Sequence, residues 1–257
     1  MKKYIKVSGV RIDMVQAPEI IKAMEKWIQE KKYGNYIVVS NAYDFVMNSR
    51  YSNVKESANN SALTIPDGFS LMMLGRLYGY PLKKRAYGPD LMFEFIKLSQ
   101  VRGYSHFFYG STKETLHLLV NNMKQKFPNL KIAGVLSPPF RELSEEEKKE
   151  HIDIVNKAQP DVLWVGLGTP KQQLWMYEHK YKIKVPVMLG TGAAFDFLAG
   201  TKPQCPRWAR DNGCEWLFRL VIEPKRLWKR YLIGNAVFLW IFAKEFIKVK
   251  FLRKTTA

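Results

Sequence analysis

The 257-residue sequence predicts an α/β fold: a Rossmann-like, mostly parallel sheet with helices on both faces, followed by a helical C-terminal appendage. Three observations lead there. Short runs rich in β-branched and aromatic residues alternate with helical patterns over roughly the first 200 residues, the mark of a parallel sheet covered on both sides. Several of those runs end in glycine, or in a polar residue followed by glycine, at the strand-end position where such sheets bind ligands. Beyond residue 203 strand signals become scarce and a basic, Trp-rich helical pattern takes over. The expected division is 1–203 for the α/β core and 204–257 for the appendage.

Strands are expected at 36–39, 63–65, 105–109, 131–135, 162–165 and 185–189, mostly apolar runs between polar or glycine-containing segments. Helices fill the intervals. Residues 18–31 place Ile20, Ile21, Met24, Trp27 and Ile28 at helical spacing, which makes one face apolar. Residues 112–126 and 144–158 follow two of the strands, and Ser144 heads a Ser-Glu-Glu-Glu capping signal. In the appendage, Pro203, Pro206 and Pro224 punctuate helical stretches. From Arg207 onward these hold twelve Lys or Arg, four Asp or Glu, and four of the seven tryptophans (Trp208, Trp216, Trp228 and Trp240). The apolar run 236–243 is too short to span a bilayer, and Lys244, Lys248, Lys250, Arg253 and Lys254 follow it, interleaved with Phe246 and Phe251. That is the pattern of an interfacial segment drawn to anionic lipid; a helix packed on its own domain or on another subunit is the alternative.

The balance of 41 Lys and Arg against 23 Asp and Glu, a net charge of +18, calls for an anionic partner: nucleic acid, an anionic membrane, or a phosphorylated substrate. The two cysteines, Cys205 and Cys214, read as reduced thiols rather than as a disulfide or a metal pair. The segment after Met1 has no long apolar stretch of the signal-peptide kind, and no run of about 20 apolar residues occurs. The expectation is a cytoplasmic protein that sits peripherally on the inner face of the cell membrane.

Three strand ends carry the residues from which chemistry is expected. In Leu63-Thr-Ile-Pro-Asp-Gly, Asp67 stands at a strand tip before Gly68, where it serves as a general base or merely caps the following helix. In Val165-Gly-Leu-Gly-Thr-Pro-Lys-Gln-Gln, Gly166 and Gly168 precede Pro170, a residue suited to the first turn of a helix. Backbone N–H groups at such a junction suit a diphosphate, and Lys171 and Gln172 add polar reach; a plain tight turn is the alternative. Gly190-Thr-Gly192 repeats the device, with close helix-to-strand packing as its alternative. Arg85, shortly before Gly88-Pro-Asp90, and the appendage arginines Arg219, Arg226 and Arg230 are matched to phosphate oxygens. No D-x-D occurs, and His106, His117, His151 and His179 lack metal-ligand spacing, so no metal and no cofactor are expected.

Taken in order, these motifs resemble the WecB/TagA/CpsF glycosyltransferases, glycosyltransferase family 26. The resemblance rests on Val38-Val-Ser-Asn41, Ile65-Pro-Asp67-Gly68, Lys84-Arg85-Ala-Tyr-Gly88-Pro-Asp90, Val165-Gly-Leu-Gly-Thr-Pro170-Lys-Gln172 and Gly190-Thr-Gly192-Ala-Ala-Phe195-Asp196. It continues in Gly213-Cys-Glu215-Trp216-Leu-Phe-Arg219-Leu and Glu223-Pro224-Lys-Arg226-Leu-Trp-Lys-Arg230-Tyr231. It implies an inverting, metal-independent transferase that moves N-acetylmannosamine or a related sugar from a UDP-sugar donor to a polyprenyl-diphosphate-linked sugar acceptor. Cell-surface polysaccharide and teichoic acid pathways use such steps. The resemblance also implies that Asp67 is the base, that Asn41, Arg85 and Gln172 line the site, and that Arg219, Arg226 and Arg230 meet the diphosphate. Val39, Gln204-Cys205-Pro206 and Cys214 depart from the common pattern and bear on the donor sugar. Self-association is compatible with this reading. Two other classes compete with it. An NAD(P)-binding Rossmann oxidoreductase needs a complete fingerprint, and neither Gly-x-Gly completes one. A nucleic-acid module accounts for the charge but has no motif here, so no nucleic acid is expected.

Overall fold

A computed structural model describes residues 3–255, with side chains through residue 251; the side chains of Arg253 and Lys254 lie outside the described residues. In chain order the elements are β1 (Tyr4–Val7), β2 (Val10–Asp13), α1 (Ala17–Gln29), β3 (Asn35–Ser40), α2 (Ala42–Arg50), α3 (Ser52–Asn59), β4 (Leu63–Pro66) and α4 (Phe69–Leu77). There follow α5 (Gly88–Arg102), β5 (Ser105–Gly110), α6 (Lys113–Lys126), β6 (Lys131–Leu136), α7 (Glu145–Ala158), β7 (Val162–Gly166), α8 (Lys171–His179), β8 (Val187–Gly190) and α9 (Gly192–Ala199). The chain continues through α10 (Arg207–Asp211), α11 (Glu215–Ile222) and α12 (Pro224–Thr255).

Six strands form one sheet in the order β4-β3-β8-β7-β5-β6, and every pairing in it is parallel. Val162, Leu163, Trp164 and Val165 of β7 are wholly buried, because helices cover both faces. On one face Ile37, Trp164 and Leu189 pack with Met24 of α1, Phe95 of α5, Leu119 of α6 and Phe195 of α9. On the other, Val38, Leu163 and Met188 pack with Val155 of α7 and Met176 of α8. The helix after β8 therefore lies with α5 and α6, whereas α2 and α3, after β3, lie on the α8 side. Neighbouring strands whose following helices leave to opposite faces open a crevice at their C-terminal ends.

All six expected strands are present. The last begins at Val187 rather than at 185, since Pro186 has no N–H to give a ladder. Ser144 caps α7 as expected: its Oγ accepts from Glu147 N (3.2 Å), and the Glu147 carboxylate accepts from Ser144 N (2.9 Å). The antiparallel β1–β2 hairpin was not expected. Its turn puts Ser8 and Gly9 at φ 51° and 80°, and Ser is an uncommon choice for that conformation. The hairpin shields the edge strand β4: Asp13 Oδ2 accepts from Thr64 N (2.8 Å), and Arg11 donates to the carbonyls of Ser61 and Ala62.

A third cluster joins the hairpin, α2, α4 and the tail: Phe238 and Ile241 of α12 are buried with Ile12, Phe45 and Leu71. Gly234 lets α12 lie close to α2, since a Cβ there would approach the Tyr43 ring to 3.2 Å. The tail is thus helical as expected, from Arg207 to Thr255, and its long helix is packed along the core. Among the described residues no helix is long and apolar enough to cross a membrane.

Candidate active site

The crevice is built from strand ends that touch one another. Asp67 N donates to Ser40 O (2.9 Å), tying the end of β4 to that of β3. A Cβ on Gly68 would lie 3.2 Å from the Asn41 Cα, so the bare backbone of Gly68 is what permits the approach. Asp67 does not cap α4: the N-cap is Gly68, with no side-chain bond. Its Oδ1 instead accepts from Gly88 N (2.8 Å), the first residue of α5. Burial raises the Asp67 pKa to about 7; Arg85 and the Gly88 bond pull it down, while Glu215 and Asp44 push it up. A carboxyl so placed exchanges a proton near neutrality, which is the requirement for a general base at that pH.

Asn41 spends its amide oxygen on the helix after β3, accepting from Tyr43 N (3.0 Å) and Asp44 N (3.2 Å). Asp44 closes the capping box through Asn41 N (3.3 Å). Gln172 is buried, and its Oε1 accepts from Gly192 N (3.2 Å) while its side chain fills the space beside Gly190. The Phe195 ring occupies the place a side chain on Gly166 would need. Gly166 and Gly190 thus allow close packing, which for Gly190 is the alternative open in the sequence. Gly168 differs: at φ +77° it faces open space, and Lys171 beside it is exposed. Pro170 stands one position before the first turn of α8, as its N-cap, and its bond to Thr169 is cis.

The tail enters this site from the side. Arg85 pairs with Glu215 of α11 at 2.5 Å, with both side chains largely buried. Tyr87 OH donates to the other Glu215 oxygen (3.2 Å), and the Tyr87 ring lies between the guanidinium groups of Arg85 (4.1 Å) and Arg210 (4.9 Å). Arg230 of α12 reaches Asp44 Oδ1 (3.4 Å) over the Tyr43 ring (4.5 Å). Arg219 lies over the Phe197 ring (5.9 Å) and acts electrostatically on Asp44. Arg226 pairs with Glu223 and is more than half exposed, so it is not gathered with the others. Asp44 was not singled out in the sequence, and Glu215 was given no role there. Asp44 is buried, and burial raises its pKa against the pull of Arg230. The one signal for it was the Asn41-x-x-Asp44 spacing, which reads as a plain helix cap.

α2, α4, α8 and α9 start from these strand ends, and α5 starts beside them where Gly88 N meets Asp67. Their dipoles favour an anion there, although Tyr43 N and Asp44 N of α2, Gly88 N of α5 and Gly192 N of α9 are taken by Asn41, Asp67 and Gln172. The histidines are elsewhere: His106 accepts from Trp164 Nε1 (2.9 Å) inside the core, and burial lowers its pKa to about 3. Cys205 and Cys214 are free thiols. Among the described residues no group of three or more His, Cys, Asp or Glu is placed to hold a metal ion.

A carboxyl near neutrality, helix N-termini and arginines are thus gathered at the strand ends of a parallel sheet. Comparison with known proteins gives the class: residues 5–251 match the Glycosyl transferase WecG/TagA/CpsF family, and the chain belongs to that family. It is 28% identical over 234 residues to the N-acetylglucosaminyldiphosphoundecaprenol N-acetyl-beta-D-mannosaminyltransferase of Bacillus subtilis (strain 168), covering 90% of this chain and 88% of that protein. The proteins of the same name from Bacillus spizizenii (strain W23) and Staphylococcus aureus (strain NCTC 8325) are 28% and 25% identical. These matches cover 81% and 96% of this chain, and 79% and 94% of those proteins. The chain is a glycosyltransferase, which sets aside the dinucleotide and nucleic-acid alternatives.

Proposed function

We propose that this enzyme is an inverting, metal-independent hexosyltransferase that moves N-acetylmannosamine or a related sugar from a UDP-sugar to a polyprenyl-diphosphate-linked sugar. The observation that carries the reading is Asp67, held by Gly88 N with a pKa near 7 among helix N-termini, beside Arg85 and within the influence of Asp44, which takes Arg230 from the tail. Relatives named for transfer of N-acetylmannosamine to N-acetylglucosaminyl-diphosphoundecaprenol support it. In the reaction Asp67 takes the proton of the acceptor hydroxyl. The oxygen then attacks the anomeric carbon, and UDP leaves from the opposite face. Negative charge grows on the departing diphosphate. Arg230 and Arg219, with Arg226 at the rim, and the N-termini behind Gly168, Lys171 and Gly192 stabilise it in place of a metal; one good donor supplies about 3–4 kcal/mol. Asn41, Gly68, Arg85, Gly88, Gly166, Gln172 and Gly190 shape the cavity around the sugar and diphosphate.

The tail also docks the enzyme on the inner face of the cell membrane. Leu232, Ile233, Leu239 and Trp240 are each more than half exposed on α12, on the side away from Phe238 and Ile241. From 232 to 243 no exposed residue of the helix is charged, whereas Lys225 and Lys229 precede that stretch and Lys244, Lys248 and Lys250 follow it. An apolar middle between cationic ends suits a helix lying in an anionic interface, where a lipid-linked acceptor presents its sugar. In this reading 1–203 carries the base and 204–257 carries the membrane face and the diphosphate arginines. The test is to incubate the enzyme with a panel of UDP-sugars and a lipid-diphosphate-N-acetylglucosamine analogue and to weigh the products. A product one N-acetylhexosamine heavier is expected; no transfer from any UDP-sugar would overturn the reading.

A further inference from the structure

Among the described residues four ion pairs cross between core and tail, and two of them, of opposite sense, lie at the candidate site. In one, the core carboxylate of Asp44 takes the tail guanidinium of Arg230. In the other, the core guanidinium of Arg85 takes the tail carboxylate of Glu215, and this pair is the closer, at 2.5 Å with both side chains largely buried. Both Glu215 oxygens are engaged, one by Arg85 and one by Tyr87 OH. Tyr87 is itself held by Gln204 Nε2 (3.4 Å) and lies under the Arg85 guanidinium. Arg85 is thereby fixed at its edge by Glu215 and at its face by Tyr87. It is also the main positive charge acting on Asp67. A guanidinium with only one carboxylate in reach closes on it as a charge-assisted pair, and a carboxylate so paired is a poor proton acceptor.

We propose that Glu215 is a positioning residue through which docking of the tail prepares the base: by occupying Arg85 it leaves Asp67 free to take the acceptor proton. This rests on the reading of Asp67 as the base. It makes base strength depend on the tail being seated, so that an undocked enzyme holds Asp67 in an idle ion pair with Arg85. The charged groups acting on Asp67 are Arg85 from the segment before α5, Glu215 from α11 and Asp44 from α2. Asp44 in turn faces Arg230 and Arg219, and Glu215 faces Tyr87. Removing the Glu215 charge deletes one influence that raises the Asp67 pKa and releases Arg85 to lower it further, so both consequences have the same sign.

The experiment measures kcat/KM against pH for the full-length enzyme with a soluble acceptor, in the wild type and in Glu215→Gln, Glu215→Asp and Asp67→Asn. The wild-type rate is expected to rise with pH through an acidic limb near pH 7. Asp67→Asn should abolish that limb. In Glu215→Gln the limb should move to lower pH by about one unit or more. Its plateau should fall about 10–100-fold through kcat, with the donor KM changed less than about threefold. Glu215→Asp, which keeps the charge at shorter reach, should fall between, and it carries the same test if the Gln variant does not fold. A merely structural role would lower the folded fraction without moving the limb. If the limb disappears in Asp67→Asn but stays at its wild-type position in both Glu215 variants, the proposal is overturned while the base reading stands. If the limb persists in Asp67→Asn, the base reading itself is overturned.

Discussion

The strand ends of the core and the helices of the tail serve the same crevice by different means. In the core, polar groups are tied to backbone: Asp67 to Gly88 N, Asn41 to Tyr43 N and Asp44 N, Gln172 to Gly192 N. Their positions follow from the sheet and cannot change without it. Among the described residues of the tail no site side chain is tied to core backbone. Arg230 meets Asp44, Glu215 meets Arg85 and Tyr87, and α12 packs through an apolar seam that includes Phe238 and Ile241. The other side of that helix is apolar and exposed. In the proposed reading the backbone-tied region supplies the base, and a region held by ion pairs and a seam supplies the charges and the surface contact. Such a division lets seating of the tail and readiness of the site become one event.

The largest expected effect breaks the core side of this comparison. Asp67→Asn should lower turnover by about 10²–10⁴-fold, the usual loss of a general base. UDP affinity measured by calorimetry should remain near that of the wild type, because the Gly88 N–H retains an acceptor in the Asn oxygen. Near-normal turnover would remove Asp67 from the chemistry. A smaller effect isolates the outer face of the tail. Changing Leu239 and Trp240 together to Glu should weaken binding to anionic vesicles by at least about tenfold, given roughly 1.5–3 kcal/mol for each apolar side chain transferred. Transfer to a soluble acceptor should be unaffected; vesicle binding at the wild-type level would show that another surface docks. The smallest expected effect is none: excess EDTA should leave the rate unchanged. Loss of activity restored by magnesium or manganese would give the diphosphate a metal partner in place of the arginines.

Much of the core was legible in the sequence because strands buried on both faces read as apolar runs whatever lies next to them; Val162–Gly166 is the clearest case. The hairpin was hidden for the opposite reason. Its strands are four residues each, and its turn uses Ser8 where Asn or Asp would have announced the left-handed backbone. At the site, Asp67 could be found as a carboxylate at a strand tip, but only its bond to Gly88 N separates a poised carboxyl from a helix cap. Gly166 and Gly190 looked alike as ligand positions with Gly168, yet Phe195 and Gln172 fill the space beside the first two and leave the third open. Asp44 and Glu215 were illegible as site residues because their significance lies in partners 186 and 130 positions away. Periodicity and spacing report local geometry, and pairings of that span are made only by the tertiary fold.

In the proposed mechanism the tail completes the transfer site rather than merely anchoring the enzyme. The direct test is the turnover of a soluble acceptor, without vesicles, by the full-length enzyme carrying Arg219→Gln and Arg230→Gln, compared with Arg226→Gln alone and with the wild type. The double variant is expected to lose on the order of 10²-fold or more in kcat, as for removal of a transition-state donor. Arg226→Gln, whose side chain pairs with Glu223 and is largely exposed, should lose less than about tenfold. A double variant that folds and turns over the soluble acceptor at the wild-type rate would contradict the account and leave the tail as an anchor alone.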